Sequence, residues 1–167
     1  MRKITPNNPM PITITQERPD SVDAVRLIDE LQIALNAGAY PDEGRHGYIV
    51  DKLVREGVAF FVTRHDGNPA GCGGIELFRA EYGEIKRMYV RPQYRGLGLG
   101  RLMLDRLTCY ARQRQVSTLR LEIGVYQTEA IGLYECYGFT RRGPFGEYKE
   151  SPLNIYFEKR MMDRSGI

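Results

Sequence analysis

Residues 95–100 read Arg-Gly-Leu-Gly-Leu-Gly, three alternating glycines set between a strand-like run ending at Val90 and an amphipathic helix that starts near Leu99. Glycine takes backbone angles closed to other residues and lets a ligand approach the chain, while the first turn of a helix offers unpaired N–H groups at the positive end of its dipole. The segment therefore reads as an anion cradle suited to a phosphate. It is not a Walker loop, because Gly100 is followed by Arg101 and Leu102 where Lys and Ser or Thr are needed. Nor is it a dinucleotide fingerprint, whose glycines span six positions after the first strand of a βαβ unit. From the loop alone, a glycine-rich turn that merely lets strand and helix pack closely stays open.

A chain of 167 residues, 42% of them hydrophobic, is long enough for one domain with a real core and too short for two ordinary ones. We expect that domain over residues 12–162, behind a flexible, polar and proline-rich segment 1–11. No apolar run approaches a membrane span, and the start is unlike a secretory signal, so the expectation is a cytoplasmic protein with no membrane partner. Cys72, Cys109 and Cys136 are odd in number and far apart, which speaks against a disulfide framework or a paired-thiol zinc site and for buried free thiols. His46 and His65 lack any metal-ligand spacing, so no metal is expected. A net charge of +3 with interspersed signs is too mild for a nucleic-acid partner but suits an anionic small cofactor.

Along the chain, residues 12–15 read as a strand, and Asp20 or Ser21 caps a helix whose Ala24, Leu27, Ile28, Leu31 and Leu35 form one stripe, with Gly38 as the stop. A turn-rich stretch over 36–48 precedes a short helix to about Glu56, ended by Gly57. Strands over 58–63 and 70–78 flank Asp66-Gly67, a hairpin signal that makes them antiparallel. Another strand covers 84–90. After the glycine loop, Leu99, Leu102, Met103, Leu107, Tyr110 and Ala111 repeat at helical spacing. Leu119, Leu121 and Ile123 then alternate with Arg120 and Glu122, a strand parallel to 84–90 because a helix joins the two. A helix over 128–137 stops at Gly138, and short strands follow near Thr140 and over 154–159.

Two segments carry a family resemblance. GEIKRMYVRPQYRGLGLGRLML places Arg95, Gly98 and Gly100 in an Arg/Gln-x-x-Gly-x-Gly/Ala pattern after a strand, and EAIGLYECYGF matches an Ala-x-x-Leu-Tyr-x-x-x-Gly-Phe helix and exit. With them the chain resembles the GNAT superfamily of acetyl-CoA-dependent N-acetyltransferases over about residues 12–159. The resemblance implies a mixed α/β fold: a mostly antiparallel central sheet with a splayed parallel strand pair and helices on both faces. It also implies a β-bulge in strand 84–90 that opens a V-shaped cleft for acetyl-CoA as cosubstrate. The pantetheine arm then pairs like an added strand with Met88, Tyr89 and Val90, and the pyrophosphate rests on Arg95, Gly96, Leu97, Gly98, Leu99, Gly100 and Arg101. Arg91, Arg95 and Arg101 are the cations placed to meet remaining phosphate charge. Where many members carry Asn three residues before the motif's alanine, this chain has Gln127, an amide donor on a longer stem. The tail Pro144-Phe145-Gly146-Glu147-Tyr148 is similar to one branch of the family.

Acetyl transfer to an amine needs a neutral nitrogen, a stabilised oxyanion and a proton for the departing thiolate. An amine with a pKa of about 10.4 is neutral in roughly one molecule per thousand near pH 7.4, so a base is useful. Glu84, on the cleft-lining strand where some members carry a catalytic glutamate, is the candidate, against the alternative of an exposed strand glutamate paired with Lys86. Tyr134 matches a family tyrosine near the sulfur and is the candidate acid, against the alternative of core packing beside Ala130 and Tyr137. The fold of the family implies a backbone N–H near Met88 for the oxyanion. Cys136 has no histidine nearby in sequence to activate it, which favours direct transfer over an acyl-enzyme.

The expected activity is transfer to a primary amine of a small molecule or peptide, with a non-catalytic acyl-CoA-binding sensor as its rival and a homodimer left open. Loops 36–48 and 142–153 wall the acceptor side in the family. Here they carry Tyr40, Arg45, His46, Tyr48, Phe145, Tyr148 and Lys149, a set suited to an amine bearing an acidic group, with Arg45, His46 and Tyr148 as the acceptor contacts.

Overall fold

In the computed structural model, which describes residues 11–37 and 46–162 with side chains from residue 49 onward in the second segment, strands and helices follow the expected order. The strands are β1 (Ile12–Glu17), β2 (Ala59–His65), β3 (Asn68–Phe78), β4 (Tyr82–Val90), β5 (Thr118–Gly124), β6 (Thr140–Arg142) and β7 (Asn154–Arg160). The helices are α1 (Val22–Asn36), α2 (His46–Arg55), α3 (Leu99–Gln113) and α4 (Thr128–Tyr137), with one 3₁₀ turn at Pro92–Tyr94. The strands form one sheet in the order β1-β2-β3-β4-β5-β7-β6, antiparallel except for the β4–β5 pair that α3 connects.

Local chemistry accounts for these elements. Ser21 caps α1 by accepting the Ala24 N–H at 3.3 Å, and Ala24, Leu27, Ile28 and Leu31 bury the expected stripe. The helix ends at Asn36 with Ala37 in a right-handed cap, and the expected stop at Gly38 lies outside the described residues. Asp66 (φ 49°) and Gly67 (φ 76°) join β2 to β3 in the left-handed conformation that a two-residue hairpin demands.

Period-two alternation divides the core between the two faces. Phe60 and Val62 of β2 meet α1 and α2 through Leu27, Ile28, Val50 and Leu53. Ala59 and Phe61 face the other way, toward Met103, Leu104 and Leu107 of α3 and on to Leu121 and Phe157. The sheet is thus covered by helices on both sides. A small aromatic cluster of Tyr82, Phe145 and Tyr156 closes one end.

Two features of β4 shape the site. Its parallel pairing with β5 lasts for only two residue pairs, Gly83↔Leu119 and Glu84↔Arg120, after which the strands part. Its register against β3 also slips, from Lys86 opposite Gly74 to Tyr89 opposite Cys72, so Arg87 and Met88 together face Gly73. That is a β-bulge, with Arg87 at φ 55°. Gly73 is required there by space: a Cβ would stand 2.7 Å from Met88 Sδ and 2.8 Å from Met103 Cγ.

The cysteines differ from expectation. Cys72 is buried, whereas Cys109 and Cys136 are exposed. Their helical phase explains this, since α3 buries Met103, Leu104, Leu107 and Ala111, and α4 buries Ile131 and Tyr134, leaving positions 109 and 136 on outward faces.

Candidate active site

Where β4 and β5 diverge, a cleft of about 490 Å³ opens. One wall is Leu31 and Gln32 of α1 with Lys52 and Leu53 of α2 and Glu56 just after it, the floor is Glu84 to Met88 of β4, and the far wall is Glu122 of β5 with Gln127, Ala130 and Tyr134 beyond it. Tyr148 and Asn154 complete the lining. Beyond the bulge, Tyr89 and Val90 pair only with Cys72 and Gly71 of β3, and β5 has already left their other edge. Met88 packs against the α3 side of the core, and Tyr89 against the α1 side.

The glycine loop divides its labour. Gly96 and Gly98 take φ 81° and 78°, and a Cβ on either would meet nothing within 4 Å, so the loop is open to solvent at both positions. Gly98 caps α3 with no side-chain bond to the first-turn amides, while Gly100 is a packing glycine whose Cβ would stand 2.8 Å from Leu133 of α4. Close packing therefore explains Gly100, and the left-handed backbone explains Gly96 and Gly98. Leu97 is half exposed, Leu99 is core and lends the loop only its backbone, and Arg101 lies 5.4 Å from the centre of the Tyr137 ring. Arg95 donates from Nε to the Val90 carbonyl at 3.1 Å. Arg91 departs from expectation: its guanidinium is committed to both carboxylate oxygens of Glu30, at 2.9 and 2.7 Å, and to the Pro69 carbonyl at 2.8 Å. It braces β4 against α1.

Glu84 is only 4% exposed, so it is not a solvated strand glutamate. Its carboxylate accepts the Tyr148 hydroxyl. The Lys86 ammonium stands 3.9 Å away and is held chiefly by Glu76 and, at 3.2 Å, by Glu56. Burial pushes the Glu84 pKa above the ordinary glutamate value, and the Tyr148 bond and Lys86 only partly offset this.

Tyr134 is packed as the core alternative expects and also borders the cleft. Its ring sits edge-on to Phe139 at 5.6 Å and is 4% exposed, yet it also lines the cleft. Burial raises its pKa, so the phenol keeps its proton at neutral pH. Gln127 caps α4 without a side-chain cap bond and faces the cleft.

The acceptor-side expectations separate. Tyr148 reaches the cleft. Tyr40 and Arg45 lie outside the described residues, and His46 and Tyr48 belong to α2 with side chains outside that description. Phe145 is no acceptor wall: it is buried between Tyr82 and Tyr156. Lys149 is exposed, and its carbonyl accepts the Tyr156 hydroxyl at 2.7 Å.

Among the polar cleft residues that escaped the sequence reading are Gln32, Arg87, Glu122 and Asn154. Asn154 donates to the Glu122 carboxylate, whose pKa burial raises. For Arg87 a signal existed. Lys86-Arg87 sets two charges side by side in an otherwise alternating strand, the mark of a bulge.

A strand that leaves its parallel neighbour beside a glycine-capped helix is the family's architecture, and residues 26–139 match the family described as Acetyltransferase (GNAT) family. The chain belongs to the GNAT acetyltransferase family. It is 42% identical over 149 residues to the IAA acetyltransferase of Azospirillum brasilense, covering 89% of this chain and 97% of that one. A solved Klebsiella pneumoniae structure assigned to the acyl-CoA N-acyltransferases superposes with a TM-score of 0.77 at 34% identity, covering 90% of this chain and 98% of that one. The PaiA N-acetyltransferase of Thermoplasma acidophilum, solved in complex with coenzyme A, shares the fold at a TM-score of 0.73 and 18% identity, covering 90% and 99%. This GNAT chain is therefore an acetyltransferase of the N-acetyltransferase class.

Proposed function

We propose that this GNAT protein moves an acetyl group from acetyl-CoA directly to a primary amine of a small molecule or peptide bound in the β4–β5 cleft. The observation that carries the reading is the unpaired second edge of β4 beyond the bulge, lying between a buried carboxyl at Glu84 and an anion cradle at Gly96 and Gly98. The backbone of Met88 and Val90 would hold the pantetheine arm as an added strand, and the loop amides with Arg95 and Arg101 would hold the pyrophosphate. Gln127 would bond the arm from the opposite wall. When bound, acetyl-CoA supplies an activated thioester.

The rest falls to side chains of this chain. Glu84, with a pKa brought nearer neutrality by burial, takes a proton from the amine directly or through water. The nitrogen lone pair forms the C–N bond while the Met88 N–H meets the oxyanion. The C–S bond then breaks with its electron pair on sulfur, and the Tyr134 hydroxyl returns a proton to it. From the ammonium form the nitrogen loses two protons in all: one leaves through Glu84 to water, and the other offsets the proton that sulfur takes from Tyr134, so that the phenol is restored. Tyr148 borders the acceptor space, and Arg45 and His46, chosen from the sequence for their charge and hydrogen-bonding capacity, are the further acceptor contacts of this reading.

The test is release of free CoA thiol on mixing protein, acetyl-CoA and a broad panel of amines. Turnover with at least one amine is expected. Tight binding of acetyl-CoA with no thiol release from any amine would replace this reading with a non-catalytic acyl-CoA sensor.

A further inference from the structure

Arg87 differs from the half-buried arginines that carry ion pairs, and also from Arg106, whose guanidinium lies over the Phe61 ring at 5.0 Å. Arg64 bonds Glu17 at 2.6 Å and Asp23 at 2.7 Å, Arg91 bonds Glu30 at 2.7 Å, and Arg120 bonds Glu158 at 2.8 Å. Each is matched by a carboxylate. Arg87 lines the cleft, and among the described residues no carboxylate stands within ion-pair distance of it; its Nη1 donates instead to the neutral Gln32 Oε1 at 3.2 Å. Gln32 is itself fixed, because its Nε2 donates to Asn36 Oδ1 at 2.9 Å. A guanidinium has five N–H donors in a planar fork, and Gln32 is the one side-chain acceptor that bonds this one among the described residues.

The backbone pays for that placement. Arg87 holds φ 55° at the bulge, a conformation that side-chain-bearing residues seldom take, and one that costs of the order of the strain stored at functional sites. The bulge sets Arg87 and Lys86 on the same, α1–α2 side of the sheet, yet Lys86 is claimed by Glu76 and Glu56 while Arg87 is not. The same cleft holds Glu84, further along β4, and Glu122, on β5, the first bonded by Tyr148 and the second by Asn154. Burial pulls the Arg87 pKa down and pushes both carboxyl pKa values up, the direction expected when charges lie in one poorly hydrated space without neutralising partners. Glu122 is the charge that acts most on Arg87, through space rather than through a bond.

We infer that the acceptor is a compact amine that also carries a carboxylate, its carboxylate gripped by the Arg87 fork and its nitrogen directed toward Glu84 and Glu122. This rests on the cleft's being the acetyl-transfer site. A planar guanidinium held at one edge by Gln32 matches a carboxylate in two parallel N–H bonds. One guanidinium balances one negative charge, and a doubly charged phosphate would also face the two carboxyls of the same cleft. Arg87 is thus a specificity-determining residue and Gln32 its positioning residue.

The experiment compares free amino acids with their carboxamides and with matching aminoalkylphosphonates. Rates are followed by CoA thiol release, and binding by calorimetry on protein saturated with coenzyme A. In the natural protein, kcat/KM for the best acids should exceed that for their carboxamides by tenfold or more. In Arg87→Gln the acid-to-carboxamide ratio should fall about 10- to 100-fold, the range of hydrogen bonds to a charged group. Arg87→Lys should recover part of it. Gln32→Leu, which leaves the β4 backbone untouched, should lower the ratio severalfold and supplies the test should position 87 variants not fold. Carboxamides equal to acids in the natural protein, an unchanged ratio in Arg87→Gln, or phosphonates ahead of carboxylates would overturn the inference. The two readings fail separately: Arg87-dependent binding of acids without thiol release overturns transfer and keeps the grip, while turnover indifferent to the carboxylate keeps transfer and overturns the grip.

Discussion

The two halves of β4 differ although they belong to one strand. Tyr82, Gly83, Glu84 and Ile85 are buried, and the central two, Gly83 and Glu84, pair with both β3 and β5, whereas Lys86 to Val90 are half-buried and have β3 alone as a neighbouring strand. The first half is ordinary sheet interior. The second keeps one backbone edge without a strand beside it, next to a cleft and a glycine-capped helix. Unpaired backbone groups away from water are costly, so an edge of this kind calls for a partner, and a linear amide-bearing ligand supplies one. The contrast teaches that the bulge at Arg87 and Met88 does more than bend the strand: it separates a half inside the sheet from a half with one open edge, which is the half the proposed function uses to hold acetyl-CoA.

The largest effect should come from Tyr134→Phe, across the cleft from the open half. The ring keeps its packing against Phe139 while the hydroxyl is lost, so kcat should drop about 100- to 10,000-fold with acetyl-CoA affinity retained. Full activity from pH 6 to 9 would leave Tyr134 a core residue only.

Gly98→Glu should erase the rise in Tm that acetyl-CoA gives the natural protein, since bulk and negative charge enter the open face of the cradle. Gly67→Glu carries similar backbone strain, at φ 76° in the β2–β3 hairpin, and should keep the shift. Equal losses in both variants would reduce the cradle to a matter of stability.

Glu84 marks the border between the halves, and Glu84→Gln should lower kcat/KM about 10- to 100-fold at neutral pH. Its pKa is raised by burial, so natural activity should fall as pH drops through a midpoint above the usual glutamate range, and the Gln variant should lack that limb. The stability sign follows: a raised carboxyl pKa contributes stability below the unfolded value and loses it as pH rises through the folded value. Glu84→Gln should therefore gain stability over the natural protein as pH climbs through that window. An unshifted profile would remove Glu84 as the base.

The smallest effect belongs to Arg91→Ala. Its bond to Glu30 makes it a brace, so stability should fall by about 1 kcal/mol while acetyl-CoA affinity stays within twofold. A tenfold loss of affinity would return Arg91 to the phosphate site.

Much of this was legible because it is local. The Asp66-Gly67 turn, the α3 stripe and the glycine loop each rest on residues within a few positions of one another, and the parallel pair follows once a helix separates two strands. What escaped depends on distant partners. Arg91 meets Glu30 across 61 positions, and Phe145, read as a loop aromatic, is buried by Tyr82 and Tyr156. Glu122 lies on the polar face of an alternating strand, and only the departure of β4 turns that face into a cleft wall. Arg87 enters the cleft because Gly73 faces two residues at once, a register that pairing decides and propensity does not.

Amide hydrogen exchange with and without coenzyme A tests the division of β4 most directly. New protection should fall on Met88 and Val90 and on the loop amides of Gly96 to Arg101, with Tyr82 to Ile85 unchanged because those residues are already buried within the sheet. Protection centred elsewhere, with Met88, Val90 and the glycine loop exchanging as before, would contradict the account.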